Sequence, residues 1–235
     1  MTEDEWLQAL PDMHGMISYL YNLEPQPSRR KTRLCMAAFC RAIWHLMTDK
    51  RCRHAVEVAE RFADDPAAEA DLKAAIKALP NKRRDYSALH KTAPDDAARS
   101  CTSRKEQFLF AALQQVQALT VLAVESGSHD PQTAAAQVRR QTEMIHDIFG
   151  NPFRPSPPLP PSVLAWSDRT VPRIAKGIYD ERRLPEGTLD AARLAVLADA
   201  LLDAGCDDEE LIAHCRQPGP HVRGCWGVDL ILGKS

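Results

Sequence analysis

The chain has 235 residues, 44% hydrophobic and 26% charged, which excludes a disordered chain and allows one large core or two small ones. The formal net charge of -2 favours neither nucleic acid nor an anionic membrane surface as a partner. The longest apolar run, within 118–124, is too short to span a membrane, and the acidic start differs from a signal peptide. We therefore expect a cytoplasmic protein.

Helical spacing dominates the first 150 residues, and long alternation of apolar and polar residues is scarce. Apolar residues between 28 and 47 form two adjacent stripes, which predicts a central, mostly buried helix. Asp49 is predicted to cap the following helix, whereas 81–104 gives only a weak helical signal. Further helices are predicted at 67–80, 103–125 and 131–149.

Six of the 17 prolines lie between Asn151 and Ser162. Since proline lacks an amide donor and fixes φ, this segment is predicted to be an extended connector; a ligand role for an SH3-like partner is the alternative. The predicted fold is an all-α multi-helix bundle in two lobes. Its parts are an N-terminal helical lobe (1–150), a proline-rich connector (151–163) and a C-terminal helical lobe (164–235).

The C-terminal lobe carries strong signals for the ends of helices. Gly205 is predicted to end one helix in the left-handed conformation, and Asp207 with Glu210 resembles a capping box that starts the next. The segment Gln217-Pro218-Gly219-Pro220 predicts a firm stop. The four helices predicted here are 171–181, 188–204, 207–216 and 221–232.

Four metal-capable residues lie within twelve positions of this lobe: His214, Cys215, His221 and Cys225. In the predicted helix 221–232, His221 and Cys225 share a face, and His214 or Cys215 approaches across the Pro-Gly-Pro turn. Zinc takes four nitrogen or sulfur ligands in a tetrahedron, but the close Cys-x-x-Cys pair of common zinc sites is missing. Two interpretations stay open: a zinc site, or a structural corner with buried cysteines and a histidine bonded to a backbone carbonyl.

Both ends of the chain resemble an uncharacterised protein family common in planctomycete bacteria. The resemblance covers somewhat over half of the sequence and implies no activity, cofactor or catalytic residue. Phe39 stands where the family pattern has a second cysteine beside Cys40, which argues against Cys40 as a required ligand. The matching segments include Met1-Thr2-Glu3, Glu5-Trp6-Leu7, Cys40-Arg41-Ala42-Ile43-Trp44-His45-Leu46, Asp147-Ile148-Phe149-Gly150-Asn151-Pro152-Phe153, Gly219-Pro220-His221-Val222-Arg223-Gly224-Cys225-Trp226 and Leu232-Gly233-Lys234.

The sequence contains no phosphate-binding glycine loop and no hydrolase or metalloprotease signature. The first functional hypothesis is therefore a non-enzymatic protein-interaction or regulatory helical module, with another protein as partner and no cofactor. The alternative is a zinc-binding or Cys/His-dependent protein that uses His214, Cys215, His221 and Cys225.

Overall fold

The computed structural model describes residues 1–8, 12–80, 89–104, 109–128 and 131–234. Within these ranges the regular structure is helical and includes no β-sheet, which confirms the all-α prediction. None of the helices described is both long enough and apolar enough to cross a membrane. The helices are α1 (Glu3–Trp6), α2 (Met13–Tyr21), α3 (Arg29–Ala42), α4 (Lys50–Asp64), α5 (Glu69–Ala78), α6 (Leu89–Cys101), α7 (Leu109–Ser128), α8 (Pro131–Phe149), α9 (Pro161–Asp180), α10 (Ala191–Asp203), α11 (Glu209–Arg216) and α12 (Trp226–Leu232).

The chain divides into two compact units, a first unit of Met1–Thr142 and a second unit of Glu143–Ser235. The division falls inside α8. No regular secondary structure is present between Asn151 and Pro160, all of which are described, and α9 begins at Pro161. The role of 151–163 as a connector between lobes 1–150 and 164–235 stays a prediction.

The first unit is built around α3, whose residues from Thr32 to Ala42 are all buried, as the two apolar stripes predicted. Asp49 caps α4 by accepting a hydrogen bond from the Arg51 amide, which confirms its predicted role. The weakly helical segment 81–104 contains α6, while 81–88 lie outside the described residues.

The second unit packs α9 to α12 around one apolar core. A break from Trp166 to Arg169 divides α9, and Ser167, Asp168 and Arg169 adopt φ of 45°, 57° and 60°. Gly205 has φ of 77° after the end of α10, as predicted. The break leaves three consecutive non-glycine residues in the left-handed region, where L-residues are strained.

Two predictions about helix starts in the second unit are wrong. Asp208, not Asp207, caps α11, because the helix begins one residue later and the Asp208 carboxylate accepts from the Leu211 amide. The last helix begins at Trp226 rather than at 221. His221 and Cys225 therefore share no helix face; Val222 forms a β-bridge with Thr188 instead, and Gly224 turns the chain with φ of 95°.

Candidate metal centre

Four buried side chains of the second unit converge on one point: Asp147, His214, His221 and Cys225. One ligand atom from each lies within 4.8 Å of all the others. The last turn of α8 supplies the carboxylate and α11 supplies His214. The other two come from the irregular segment that precedes α12. We call this set the four-ligand cluster.

The Asp147 carboxylate lies at the middle of the cluster. Its Oδ1 atom is 2.7 Å from His221 Nδ1 and 3.3 Å from His214 Nε2. Its Oδ2 atom accepts a hydrogen bond of 2.8 Å from the Val222 amide. His214 Nε2 also lies 3.1 Å from Cys225 Sγ. Asp147 Oδ1, His221 Nδ1, His214 Nε2 and Cys225 Sγ thus each lie close to at least one other of these four atoms.

The turn before His221 positions its ring. His221 Nε2 lies 3.0 Å from the carbonyl oxygen of Gln217. Gly219 has φ of 95°, and a Cβ atom there would lie 2.8 Å from the His221 amide nitrogen. Only glycine fits this turn without displacing the backbone of His221. The Pro-Gly-Pro segment therefore fixes the imidazole as well as ending α11.

Burial and the contacts between charged groups shift the pKa values of Asp147 and His221 in opposite directions. Burial alone raises the pKa of Asp147, but hydrogen bonds to His214 and His221 hold that pKa below its usual value. Burial lowers the pKa of His221, but the bond to Asp147 outweighs it and the pKa is raised. Burial, reinforced by the Asp147 charge, raises the pKa of the Cys225 thiol well above its usual value.

The two nitrogens of His221 both face acceptors, a carboxylate oxygen and a backbone carbonyl oxygen. A neutral imidazole has one N–H and donates only one hydrogen bond. Both nitrogens find a partner when the ring is an imidazolium, and also when a cation lies between Nδ1 and Asp147 Oδ1. In the second arrangement Nε2–H donates to Gln217, as metal-bound histidines commonly donate to a backbone carbonyl.

Three of the six distances between the ligand atoms lie close to those of a tetrahedral zinc ion, and all six are no longer than 4.8 Å. Two N or O ligands of such an ion lie about 3.3 Å apart, and an N and an S ligand about 3.6 Å apart. The 3.3 Å between His214 Nε2 and Asp147 Oδ1 already agrees. To hold the ion, the His214–Cys225 and His221–Asp147 pairs would separate by about half an ångström, and the widest pair would draw closer.

The same atoms do not form a thiol-based catalytic triad. In such a triad one imidazole nitrogen faces the nucleophile and the other faces the carboxylate. Here the same atom, His214 Nε2, faces both Cys225 Sγ and Asp147 Oδ1. Without a metal to stabilise it, the thiolate that catalysis requires is also disfavoured by the raised pKa of the buried Cys225 thiol.

The structure brings together three of the four residues selected from the sequence, His214, His221 and Cys225. Cys215 lies outside the four-ligand cluster; it is fully buried, and this burial raises the pKa of its thiol to about 12. It sits in the apolar core of the second unit. Since Cys215 adjoins His214 on α11, its side chain leaves the helix in a different direction.

Asp147 was not selected from the sequence, because 67 residues separate it from His214 and no spacing rule connects them. One signal was present. A carboxylate in the last turn of a helix meets the negative end of the helix dipole, which disfavours it there. Asp147 occupies this position in α8 and is nevertheless buried.

No protein-family model matches this chain, and neither the curated proteins nor the solved structures contain a detectable match. The resemblance of both ends to a planctomycete family therefore stays a prediction. The chemistry of the four-ligand cluster is the basis for assigning a function.

Proposed function

We propose that the second unit is a zinc-binding domain whose metal is held by Asp147, His214, His221 and Cys225. The observation that carries this proposal is the convergence of four buried ligand atoms of the types that zinc prefers within 4.8 Å of one another. Compared with the zinc site predicted from the sequence, Asp147 takes the place of Cys215 in this ligand set.

Charge balance supports a divalent cation. An ionised Asp147 and a Cys225 thiolate together carry two negative charges, and two neutral imidazoles carry none. A zinc ion cancels this charge, so the site is neutral as a whole and avoids the cost of an uncompensated charge in the core. A thiolate ligand also disfavours magnesium and calcium, which select oxygen donors.

The role proposed for the metal is structural. Four protein ligands complete a tetrahedron, and all four residues are buried, so no coordination position faces a substrate. The ion would join the last turn of α8, α11 and the segment before α12. Binding energy of this kind is folding energy, because the unfolded chain does not hold the ligands together.

The decisive experiment is elemental analysis of the purified chain without a polyhistidine tag, together with titration by cobalt(II). We expect about one equivalent of zinc and a thiolate-to-cobalt absorption band after exchange. A chelator should lower the unfolding temperature of the second unit. Absence of any bound metal and of any cobalt spectrum would overturn the proposal.

Two cysteine variants form a matched pair for the ligand set. Both cysteines are buried in the same unit, so the two substitutions should disturb its packing similarly. Cys225→Ser should abolish the thiolate-to-cobalt band, whereas Cys215→Ser should keep it, because only Cys225 belongs to the four-ligand cluster. Asp147→Asn has an exposed control in Asp199→Asn, because Asp199 pairs with Arg216 at the surface. Loss of the band in Cys215→Ser with retention in Cys225→Ser would reverse the assignment.

The interaction-module hypothesis stays a prediction beside this one. The large exposed apolar side chains of the described residues in the second unit are Leu184, Val196 and Leu202. Exposed apolar residues of this kind are common in soluble proteins and identify no partner by themselves. The zinc proposal is therefore the one that the geometry supports.

A further inference from the structure

The four proposed zinc ligands differ in their access to solvent. The His214 side chain is 11% exposed, against 3% for Asp147, 2% for His221 and 0% for Cys225. A metal ion that enters or leaves therefore displaces the least protein if it passes beside His214. This route is the candidate entry path of the site.

Trp226 lies against His214. The two ring centroids are 4.8 Å apart with an angle of 42° between the planes. The His214 ring also contacts the His221 ring edge to face, with centroids 4.8 Å apart. Trp226 is itself half-buried, so a partly exposed indole contacts the most exposed of the four proposed ligands.

The same indole contacts the segment that carries Asp147. Gly150 follows the end of α8 with φ of 67°, and a Cβ atom there would lie 3.2 Å from Trp226 Cγ. Glycine thus lets the backbone after α8 approach the indole closely. Trp226 touches both the imidazole of one ligand and the chain three residues beyond another.

We propose that Trp226 gates the zinc site and sets the rate at which the metal enters and leaves past His214. This inference rests on the zinc site proposed above and concerns its exchange kinetics. Trp226 is a positioning and covering residue, since its indole offers no ligand atom to the ion. A gate slows entry and exit together, so its removal changes the exchange rates more than the equilibrium affinity.

The test measures transfer of zinc from the loaded full-length chain to an excess of 4-(2-pyridylazo)resorcinol, followed by absorbance. Trp226→Ala should release zinc about tenfold faster, which is the order of magnitude by which loss of a group around a metal ligand changes metal affinity or activity. Trp226→Phe keeps an aromatic ring over His214 and should stay close to the parent rate. If Trp226→Ala does not fold, Trp226→Leu keeps apolar volume without the ring and should also show accelerated release.

Trp166→Ala is the matched control, since Trp166 is the other half-buried tryptophan that packs on the core of the second unit. It should cost stability without accelerating zinc release. The gate is overturned if the Trp226 variants release zinc at the parent rate, or if Trp166→Ala releases it equally fast. In both cases the parent chain still binds zinc; a parent chain that binds none overturns the proposed function itself.

Discussion

Asp147 Oδ1 lies 2.7 Å from His221 Nδ1, although 74 residues separate the two in sequence. The chain between them forms α9, α10 and α11. Bringing two residues this far apart in sequence together has an entropic cost, and this cost grows only slowly with the length of the loop. One strong cross-link can therefore offset the cost of closing a long loop. A metal between these atoms would act as such a cross-link and would stabilise only the folded chain.

Gly227 brings the start of α12 close to α11, and its replacement should disturb the cluster. A Cβ atom at Gly227 would lie 2.9 Å from Leu211 Cδ1 and 3.2 Å from His214 Cδ2. Gly227→Ala should therefore destabilise the second unit by about 1–3 kcal/mol, as overpacking does, and weaken zinc binding by displacing His214. Chemical unfolding and a competitive zinc titration measure the two effects.

Gly177→Ala is the control for this substitution. Its new Cβ atom would meet only the end of the Arg193 side chain, which is flexible and can move away. Since Gly177 lies within α9, alanine should be neutral or stabilising by up to about 1 kcal/mol. Equal losses of zinc affinity in the two variants would mean that the contact with His214 is not the cause.

The sequence predicted the helices of this protein better than it predicted the cluster. Helix positions follow from local spacing and punctuation, and α3, Asp49 and Gly205 agree with the structure. The cluster depends on tertiary contacts, so the sequence did not indicate Asp147, and Cys215, which it did indicate, lies outside the cluster. The helical start at 221 was wrong because the β-bridge at Val222 and the turn at Gly224 override local helical spacing.

Arg169 provides a test of the strained break in α9. It is exposed and has φ of 60°, a region that costs a non-glycine residue about 1–2 kcal/mol. Arg169→Gly should therefore be more stable than Arg169→Ala by about 1 kcal/mol, the reverse of the order inside a helix. Urea unfolding of the two variants measures the difference. An alanine variant that is the more stable of the two would contradict the left-handed conformation.

The Asp190 carboxylate, at the start of α10, should contribute to the stability of the fold, and acid should remove this contribution. Its Oδ1 atom accepts from the amides of Ala192 and Arg193, and its Oδ2 atom accepts from Arg183 Nη2 at 2.7 Å. The hydrogen bond from Arg183 is the largest cause that holds the pKa of Asp190 below its usual value. A carboxylate of this kind stabilises the fold above its unfolded pKa, and the contribution disappears as pH falls through the folded value.

Asp190→Asn keeps an acceptor for the cap and removes the charge. The variant should be less stable than the parent at neutral pH, and the difference should shrink as pH falls below about 4 and then vanish. Thermal unfolding between neutral and acidic pH checks this. A difference that stays constant over the whole range would assign the effect to the cap geometry and not to the charge.

Arg41 and Glu60 form a buried ion pair in the first unit, with Nη2 and Oε2 2.6 Å apart and both side chains 3% exposed. Glu60→Gln removes the negative charge and leaves the guanidinium in the core beside Trp44. Removing one partner of a buried ion pair costs about 3–5 kcal/mol, because the other charge stays in the core after this attraction is lost. Chemical unfolding followed by circular dichroism should detect a loss of this size.

The double variant Arg41→Met with Glu60→Met separates the charge from the packing. Because both charges leave together, it should recover most of the stability that Glu60→Gln loses. Asp71→Asn is the surface control, since the Arg61–Asp71 pair of 3.0 Å is more than half exposed on both sides. Exposed pairs contribute less than about 1 kcal/mol. If Glu60→Gln costs no more than Asp71→Asn, the Arg41 charge is stabilised by other groups, among them the Trp44 ring, and the pair is not what holds α3 to α4.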